Sequence, residues 1–399
     1  MSLEHVVWAL AALALLLGML GLVALLRRKG RRGRQETRST TQLAALRAAS
    51  AAALGCTSPA PAKAASAGAA QAQPAQVQAA DAAAGAAARS AAMQALARLA
   101  LGQSIEQGAQ TADASSAAQD QAMRRAIGAR LEHIVEQPHY APRRPMLLPK
   151  LMQAVSDETV SQREIVRILA GDPALAGNLL RLANSSYYRH TPDPIESLDR
   201  AVAILGIDGM RSMIAAALLQ PIFRISGGAF AAFGEISWEH ALSAGSAAEA
   251  HAAIVENSDP FAAQLLALLM GLATVVVFRV AQDEYLAQKR SPPAAALAAL
   301  IDAQWVPVAR QIATHWTLSE RIDLALAQQL PPPLQPASAL GRSLQIGRYL
   351  GALAVLRRHG VMDDAAVQIA LRPRSGGASG ESAINPYERI WARLVANPR

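Results

Sequence analysis

Cysteine, aromatic residues and strand-forming runs are all scarce in this chain of 399 residues. The only cysteine, Cys56, rules out an intramolecular disulfide and fits a reducing compartment for most of the chain. Aromatic residues make up 4% of the sequence, whereas apolar residues make up 52% and are mostly alanine and leucine, which favour helices. Runs rich in valine, isoleucine, tyrosine or threonine are few. We therefore expect an all-α fold.

One short segment carries nearly all of the net charge of +8. Residues 27–47 contain a single acid, Glu36, and eight basic residues, which are Arg27, Arg28, Lys29, Arg31, Arg32, Arg34, Arg38 and Arg47. Without this segment the chain has 30 basic and 29 acidic residues and is close to neutral. A nucleic-acid-binding domain needs a basic surface, and the nearly neutral remainder of the chain does not indicate one. We therefore expect no nucleic-acid partner.

A membrane anchor is predicted immediately before the basic segment. Val6 to Leu26 contains no charge and, as a helix, would span about 30 Å, the thickness of a bilayer core. The positive-inside rule places residues 1–5 in the periplasm and everything after residue 26 in the cytoplasm. We thus predict a single-pass protein of the bacterial inner membrane, with Arg27–Arg34 against anionic lipid.

The composition predicts two further regions beyond the basic segment. Residues 48–122 are dominated by alanine, glutamine, serine, glycine and proline, and they offer too little apolar area to offset the entropy of ordering. We predict a flexible linker there, with one short helix at Met93–Leu101. Residues 123–399 show sustained helical periodicity and are predicted to form the folded domain.

Capping and stop signals divide this domain into helices. Pro173 suits the first turn of a helix, Ser197 suits an N-cap, and Gly206 is predicted to end the helix that Ser197 begins. The helix expected at 209–220 exposes few base-reading side chains, so we assign it to the core and not to DNA binding. Later helices are predicted at 294–303, 307–315, 319–329, 339–357 and 386–395.

Several motifs in this region together resemble those of the HDOD domain, the HD-related output domain of bacterial signalling proteins. They are Leu148-Pro149, Asp172-Pro173-Ala174-Leu175, Leu179 to Ser185, Ser197 to Gly206, and Trp238-Glu239-His240. The resemblance covers roughly residues 140–350. It implies an all-helical fold and a signalling role without the catalytic residues of the related HD phosphohydrolases.

The residues required for metal-dependent hydrolysis are missing. An HD phosphohydrolase holds its metal with a His, a His-Asp pair and a later Asp, yet none of the eight histidines here precedes an aspartate. The resemblance places Met270-Gly271 at the position of the pair. His240 and His251 are eleven residues apart, about 16 Å along a helix, which is too far to share an ion. We expect no metal, no cofactor and no catalytic residue.

The sequence therefore predicts a non-catalytic signal-transduction domain that acts through protein–protein or ligand binding, with a protein partner whose identity stays open. The candidate binding-groove residues are Arg181, Asn184, Ser185, Tyr187, Tyr188, Trp238 and His240. For three of them a structural role is an alternative. Asn184 and Ser185 would terminate a helix, and His240 would be a hydrogen-bonded residue beside Trp238.

Two other functions remain as alternatives. One is a degenerate HD-type metal-dependent phosphodiesterase. The other is a cyclic-dinucleotide sensor, in which Arg143 and Arg144 would bind phosphate close to the aromatic ring of Tyr140. A solvated loop between two prolines is the structural alternative for this arginine pair.

Overall fold

A computed structural model describes residues 74–102, 114–142, 145, 173–185, 193–225, 230–330, 338–371 and 386–395. The predicted anchor at 6–26 and the basic segment at 27–47 lie outside the described residues. So do Tyr187, Tyr188, Arg143 and Arg144.

Every regular element in the described ranges is helical, as expected for an all-α protein. Short 3-10 turns lie at Ile134–Glu136 and Gln220–Phe223, and a π-helical turn lies at Ala252–Glu256. The α-helices are α1 Pro74–Leu101, α2 Ala114–Glu132, α3 Pro173–Ala183, α4 Leu198–Leu219, α5 Phe233–His251, α6 Pro260–Ala287, α7 Ala294–His315, α8 Glu320–Ala327, α9 Ala339–Arg358, α10 Asp364–Leu371 and α11 Pro386–Val395.

Helix α6 lies at the centre of the domain and packs against α5 and α7. It begins at Asp259, whose carboxylate accepts a hydrogen bond from the Ala262 amide at 3.0 Å. Among the described helices it alone is long and apolar enough to cross a membrane, but 94% of its most apolar window is buried by its neighbours. A helix that is apolar on all sides is also typical of the core of a water-soluble domain.

Helices α5 and α9 share the most extensive interface between helices of the described residues. Small side chains permit this close approach. A Cβ atom at Gly347 would lie 2.5 Å from the Ala244 carbonyl oxygen, and one at Gly351 would lie 2.5 Å from the Ala244 nitrogen. Glycine is therefore required at both positions by the backbone of the neighbouring helix.

The structure differs from the expected flexible linker over its second half. Pro74–Leu101 forms one helix, longer than the predicted Met93–Leu101, and α2 already begins at Ala114. Ala92, Ala95, Leu96 and Leu101 are buried where α1 packs on α9, α5 and α7. Alanine-rich surfaces bury little area per residue, but they let helices approach closely, and the leucines supply the apolar anchors.

One predicted helix end is confirmed and another is not. Gly206 has non-helical backbone angles, φ +70° and ψ −179°, and divides α4 into the segment that Ser197 begins and a second segment that reaches Leu219. Pro307 lies inside α7, although the predictions placed a break before it. Trp305, Val306 and Val308 are buried around that proline, so contacts with neighbouring helices hold the chain helical across the lost hydrogen bond. In contrast, the Ser197 cap and α11 match the predictions.

Candidate functional site

His240 lies in the first half of α5 and is buried, with 6% of its surface exposed. Its Nε2 is 3.0 Å from the backbone oxygen of Arg348 on α9. Because a carbonyl only accepts, Nε2 carries the proton in this contact. Burial is the main reason why the pKa of His240 falls to about 4; the hydrogen bond to the Arg348 backbone opposes this shift, and the Arg348 charge adds to it. The imidazole is therefore neutral at physiological pH and acts as a donor that links α5 to α9.

The Arg348 side chain places a positive charge beside His240. Its guanidinium lies 4.8 Å from the ring centre of Trp305, a cation–π arrangement, and its terminal nitrogen is 3.3 Å from the Asp302 carboxylate. The buried Nε has no hydrogen-bond partner among the described residues, and burial lowers the pKa of this side chain. A fixed cation at this place opposes the binding of a metal ion next to His240.

Met270 and Gly271, at the position expected for a His-Asp pair, belong to the core. Met270 is 2% exposed. A Cβ atom on Gly271 would lie 2.6 Å from the Ala241 Cβ and 3.0 Å from the Phe223 ring. The Phe223 ring also contacts Trp238, at 4.9 Å between centres. These apolar groups fill the space that a carboxylate side chain at 271 would occupy.

His251, at the end of α5, is held by different partners from His240. Its Nδ1 is 3.1 Å from the Ser343 hydroxyl on α9, and its ring is stacked on Tyr387 of α11 at 6.2 Å between centres. Burial lowers its pKa. The part of the chain that the structure describes contains no group of three His, Cys, Asp or Glu residues arranged to hold a metal ion.

The predicted polar residues at the end of α3 bond mainly to the backbone. The Asn184 amide donates to the carbonyl of Leu180 at 2.9 Å and to that of Ile195 at 2.8 Å, and its oxygen accepts from the Ile195 nitrogen at 2.8 Å. The Ser185 hydroxyl donates to the Leu182 carbonyl at 2.6 Å. These contacts match the helix-terminating alternative.

The candidate groove residues thus fall into two groups with separate partners. Asn184 and Ser185 join the end of α3 to the segment before α4, and the exposed Arg181 bonds to Asn178 within α3. Trp238 and His240 lie on α5 and contact Phe223 and α9. None of these contacts connects one group to the other.

Tyr140, which the nucleotide-sensor alternative would use for binding, has a structural role. It is 9% exposed, its hydroxyl donates to Asp283 at 2.6 Å, and the Arg130 guanidinium lies 5.5 Å from its ring centre. Arg130 in turn bonds to Glu284 at 2.8 Å. Burial and the Asp283 carboxylate raise the pKa of Tyr140 to about 12. A buried ring with this partner has no free face for stacking on a base.

A buried polar cluster between α4, α5 and α6 escaped the sequence analysis. The Gln264 amide donates to the Ser212 carbonyl at 3.1 Å, and the Ser212 hydroxyl lies 3.4 Å from the Glu249 carboxylate. Arg211 is 9% exposed in the same helix as Ser212. These residues are far apart in the sequence and form no motif, so no local signal could have found them.

A shallow cleft of about 510 Å³ lies between α7, α8 and the 3-10 turn after α2. Val135 and Pro307 supply apolar walls, and Arg310, Gln311 and Asp323 supply polar ones. The Arg310 guanidinium forms two hydrogen bonds with Asp323, at 2.7 and 2.8 Å, so the two charges largely cancel. The cleft therefore offers no net charge from this pair for a ligand.

Comparison with known proteins bears on residues 141–332, which match the HDOD domain family. No curated protein matches the sequence. Three solved structures illustrate the similarity. An HDOD domain protein of unknown function from Geobacter sulfurreducens has 19% identity and a TM-score of 0.47, covering 69% of this chain and 93% of that one.

A second solved structure, from Shewanella amazonensis and provisionally named a metal-dependent phosphohydrolase, has 15% identity and a TM-score of 0.44, covering 69% of this chain and 99% of that one. A third, from Marinobacter aquaeolei and provisionally named a signal transduction protein, has 17% identity and a TM-score of 0.41. The match covers 70% of this chain and 63% of that one. Likenesses at this level carry neither activity nor partners over to this chain.

Proposed function

We propose that this chain, whose residues 141–332 match the HDOD domain family, is a non-catalytic signal-transduction protein that acts by binding another protein. The observation that carries the proposal is the interior around Gly271. A metal-binding carboxylate there would collide with Ala241 and Phe223. The position that the related hydrolases use for chemistry serves here to pack α5 against α6.

The charge beside His240 supports the same proposal. His240 donates to a backbone carbonyl and is neutral, and the neighbouring cation is Arg348. A metal ion would need His240 as an acceptor and would be repelled by the guanidinium. Both features suit an interior built for stability, with function at the surface.

We propose further that the protein is tethered to the inner membrane by residues 6–26, with the helical domain in the cytoplasm. The uncharged run and the basic residues that follow it support this arrangement. Tethering would confine the domain to a layer near the membrane and raise its effective concentration towards membrane-associated partners.

The proposal is tested by purifying the full-length chain from detergent-solubilised membranes and measuring three quantities on one sample. These are bound divalent metal, hydrolysis of a generic phosphodiester, and co-purifying protein. We expect less than stoichiometric metal, no hydrolysis above the buffer rate, and a specific partner that is absent from a mock preparation.

The matched variant for this experiment is His240→Ala. If the wild-type chain carried a tightly bound divalent ion and hydrolysed the substrate, and His240→Ala lost both properties, the protein would be an enzyme and the proposal would fail. Loss of stability alone in His240→Ala, with no activity to lose, agrees with the proposal.

A further inference from the structure

The C-terminal helix α11 has the residue pattern of a docked ligand. Tyr387, Ile390, Trp391 and Leu394 occupy positions i, i+3, i+4 and i+7 and face the domain; Ile390 is 0% and Trp391 7% exposed. Glu388, Arg389 and Arg393 form the solvent-exposed face. This spacing is the one with which amphipathic helices bind apolar grooves on other proteins.

The surface that receives α11 is formed by α5 and α9, and we name it the α5–α9 face. His251 and Ser343 mark it, since His251 bonds to Ser343 and stacks on Tyr387. It adjoins the π-helical turn at Ala252–Glu256, a type of irregularity that is frequent at functional sites.

Helix α11 is weakly tied to the rest of the domain. It has ten residues, too few for a helix to be stable alone in water, and its order depends on docking. Residues 372–385, which connect it to α10, include the run Ser375-Gly376-Gly377-Ala378-Ser379-Gly380, in which five of the six residues are glycine or serine. Few buried side chains hold it, so it belongs to the parts of a protein that open most easily.

We propose that the α5–α9 face is the docking surface for an amphipathic helix of a partner protein, and that α11 occupies this surface as a built-in competitor. The partner helix carries an aromatic residue at i, an aliphatic one at i+3 and an aromatic one at i+4, as α11 does. This inference rests on the proposed function and names the surface through which it operates.

Competition follows from the covalent link. A tethered helix experiences an effective concentration in the millimolar range, so a partner helix must bind more tightly or be locally enriched to displace it. A partner protein that is enriched at the membrane meets that condition. The result is a binding surface that stays closed until a suitable partner is abundant.

The test measures binding of a fluorescein-labelled peptide with the sequence of residues 384–399 to the full-length chain by fluorescence polarisation. In the double variant Ile390→Asp with Trp391→Ala, α11 loses its anchors and vacates the face. We expect the double variant to bind the peptide at least about tenfold more tightly than the unaltered chain, since the tethered competitor is removed. The control Arg389→Ala alters only the exposed side of α11 and should behave like the unaltered chain.

A double variant that keeps its circular dichroism spectrum but binds the peptide no better than the unaltered chain overturns the proposal. If the double variant does not fold, hydrogen exchange of the unaltered chain decides. Excess unlabelled peptide should then accelerate amide exchange in residues 386–395, and unchanged exchange rejects the proposal.

Two further outcomes separate this inference from others. A dimer of the unaltered chain that the double variant loses would place α11 of a second copy on the face and reject the partner assignment. If the peptide fails to bind while a partner still co-purifies, the proposed function stands, and the partner uses another surface.

Discussion

Asn184 shows how one polar side chain decides between a binding role and a structural role. Its amide and carbonyl groups make three bonds to the backbone of residues 180 and 195. Ser185 and the half-buried position of both residues add to the same junction. At the residue scale, therefore, this part of the candidate groove joins two segments of the fold.

We expect Asn184→Ala to lower the free energy of unfolding by about 1–3 kcal/mol, because the backbone N–H and carbonyl of Ile195 lose their partner. The control is Arg181→Ala, an exposed position, which should change it by less than about 0.5 kcal/mol. Urea unfolding measures both. Unchanged stability with lost partner capture in Asn184→Ala would instead assign this residue to binding.

His240 predicts a dependence of stability on pH. Its pKa falls from 6.5 to about 4 on folding, so the unfolded chain binds the proton more readily. The contribution of His240 is fully present above about pH 6.5 and is lost as the pH falls from there towards 4, by up to about 3 kcal/mol. Thermal or urea unfolding across this range should show the loss.

The comparison variant is His240→Gln, which keeps a neutral donor for the Arg348 carbonyl. Its stability should fall less steeply between pH 6.5 and 4 than that of the unaltered chain. Some slope should remain, because burial also lowers the pKa of His251. Parallel curves for the two proteins would show that His240 is already charged or exposed in the folded state.

At the scale of elements, contact between helix backbones decides which glycines matter. Gly351 lies on α9 against the backbone of α5, whereas Gly128 lies on α2 with open space around its missing side chain. The two positions look alike in the sequence, since both are glycines within the region of helical periodicity at 123–399. Only the neighbouring helix distinguishes them.

Gly351→Ala should destabilise the protein by about 2–3 kcal/mol, since its new methyl group would force α5 and α9 apart. Gly128→Ala should stabilise it by about 0.5–1 kcal/mol, because alanine favours a helix and meets no neighbour. Equilibrium unfolding of both variants measures these opposite shifts. Equal effects of the two substitutions would contradict the observed approach of α5 and α9.

For the whole molecule, two apolar segments compete as the membrane anchor. Pro260–Ala287 passes a test of length and composition, but it is enclosed by other helices of the domain. The run at 6–26 is flanked by the basic residues that orient a span. The surroundings of Pro260–Ala287 therefore favour a core helix, and the basic residues after 6–26 favour a membrane span.

We expect the full-length chain to stay in the membrane fraction after alkaline carbonate washing, and a variant lacking residues 6–26 to appear in the soluble fraction. The control replaces residues 6–26 with an unrelated apolar span of the same length. This variant should be retained in the membrane fraction. If the variant without 6–26 stayed in the membrane, Pro260–Ala287 would become the candidate span.

Features that depend on neighbours along the chain could be predicted from the amino-acid sequence. The helical class follows from alanine and leucine content and the start of α4 from Ser197, and a helix at 386–395 was also predicted. The family, too, was recognisable from short ordered motifs, and residues 141–332 match it. Local interactions such as capping and periodicity carry this information.

Tertiary structure alone decided what depends on distant residues. The partner of His240 is the Arg348 carbonyl, 108 residues away, and α7 continues through Pro307 because surrounding helices bury both sides of it. Likewise, α1 is an ordered helix because it docks on α9, α5 and α7. Burial is a property of the assembled molecule, so contacts of this kind outweigh local preferences only once the fold exists.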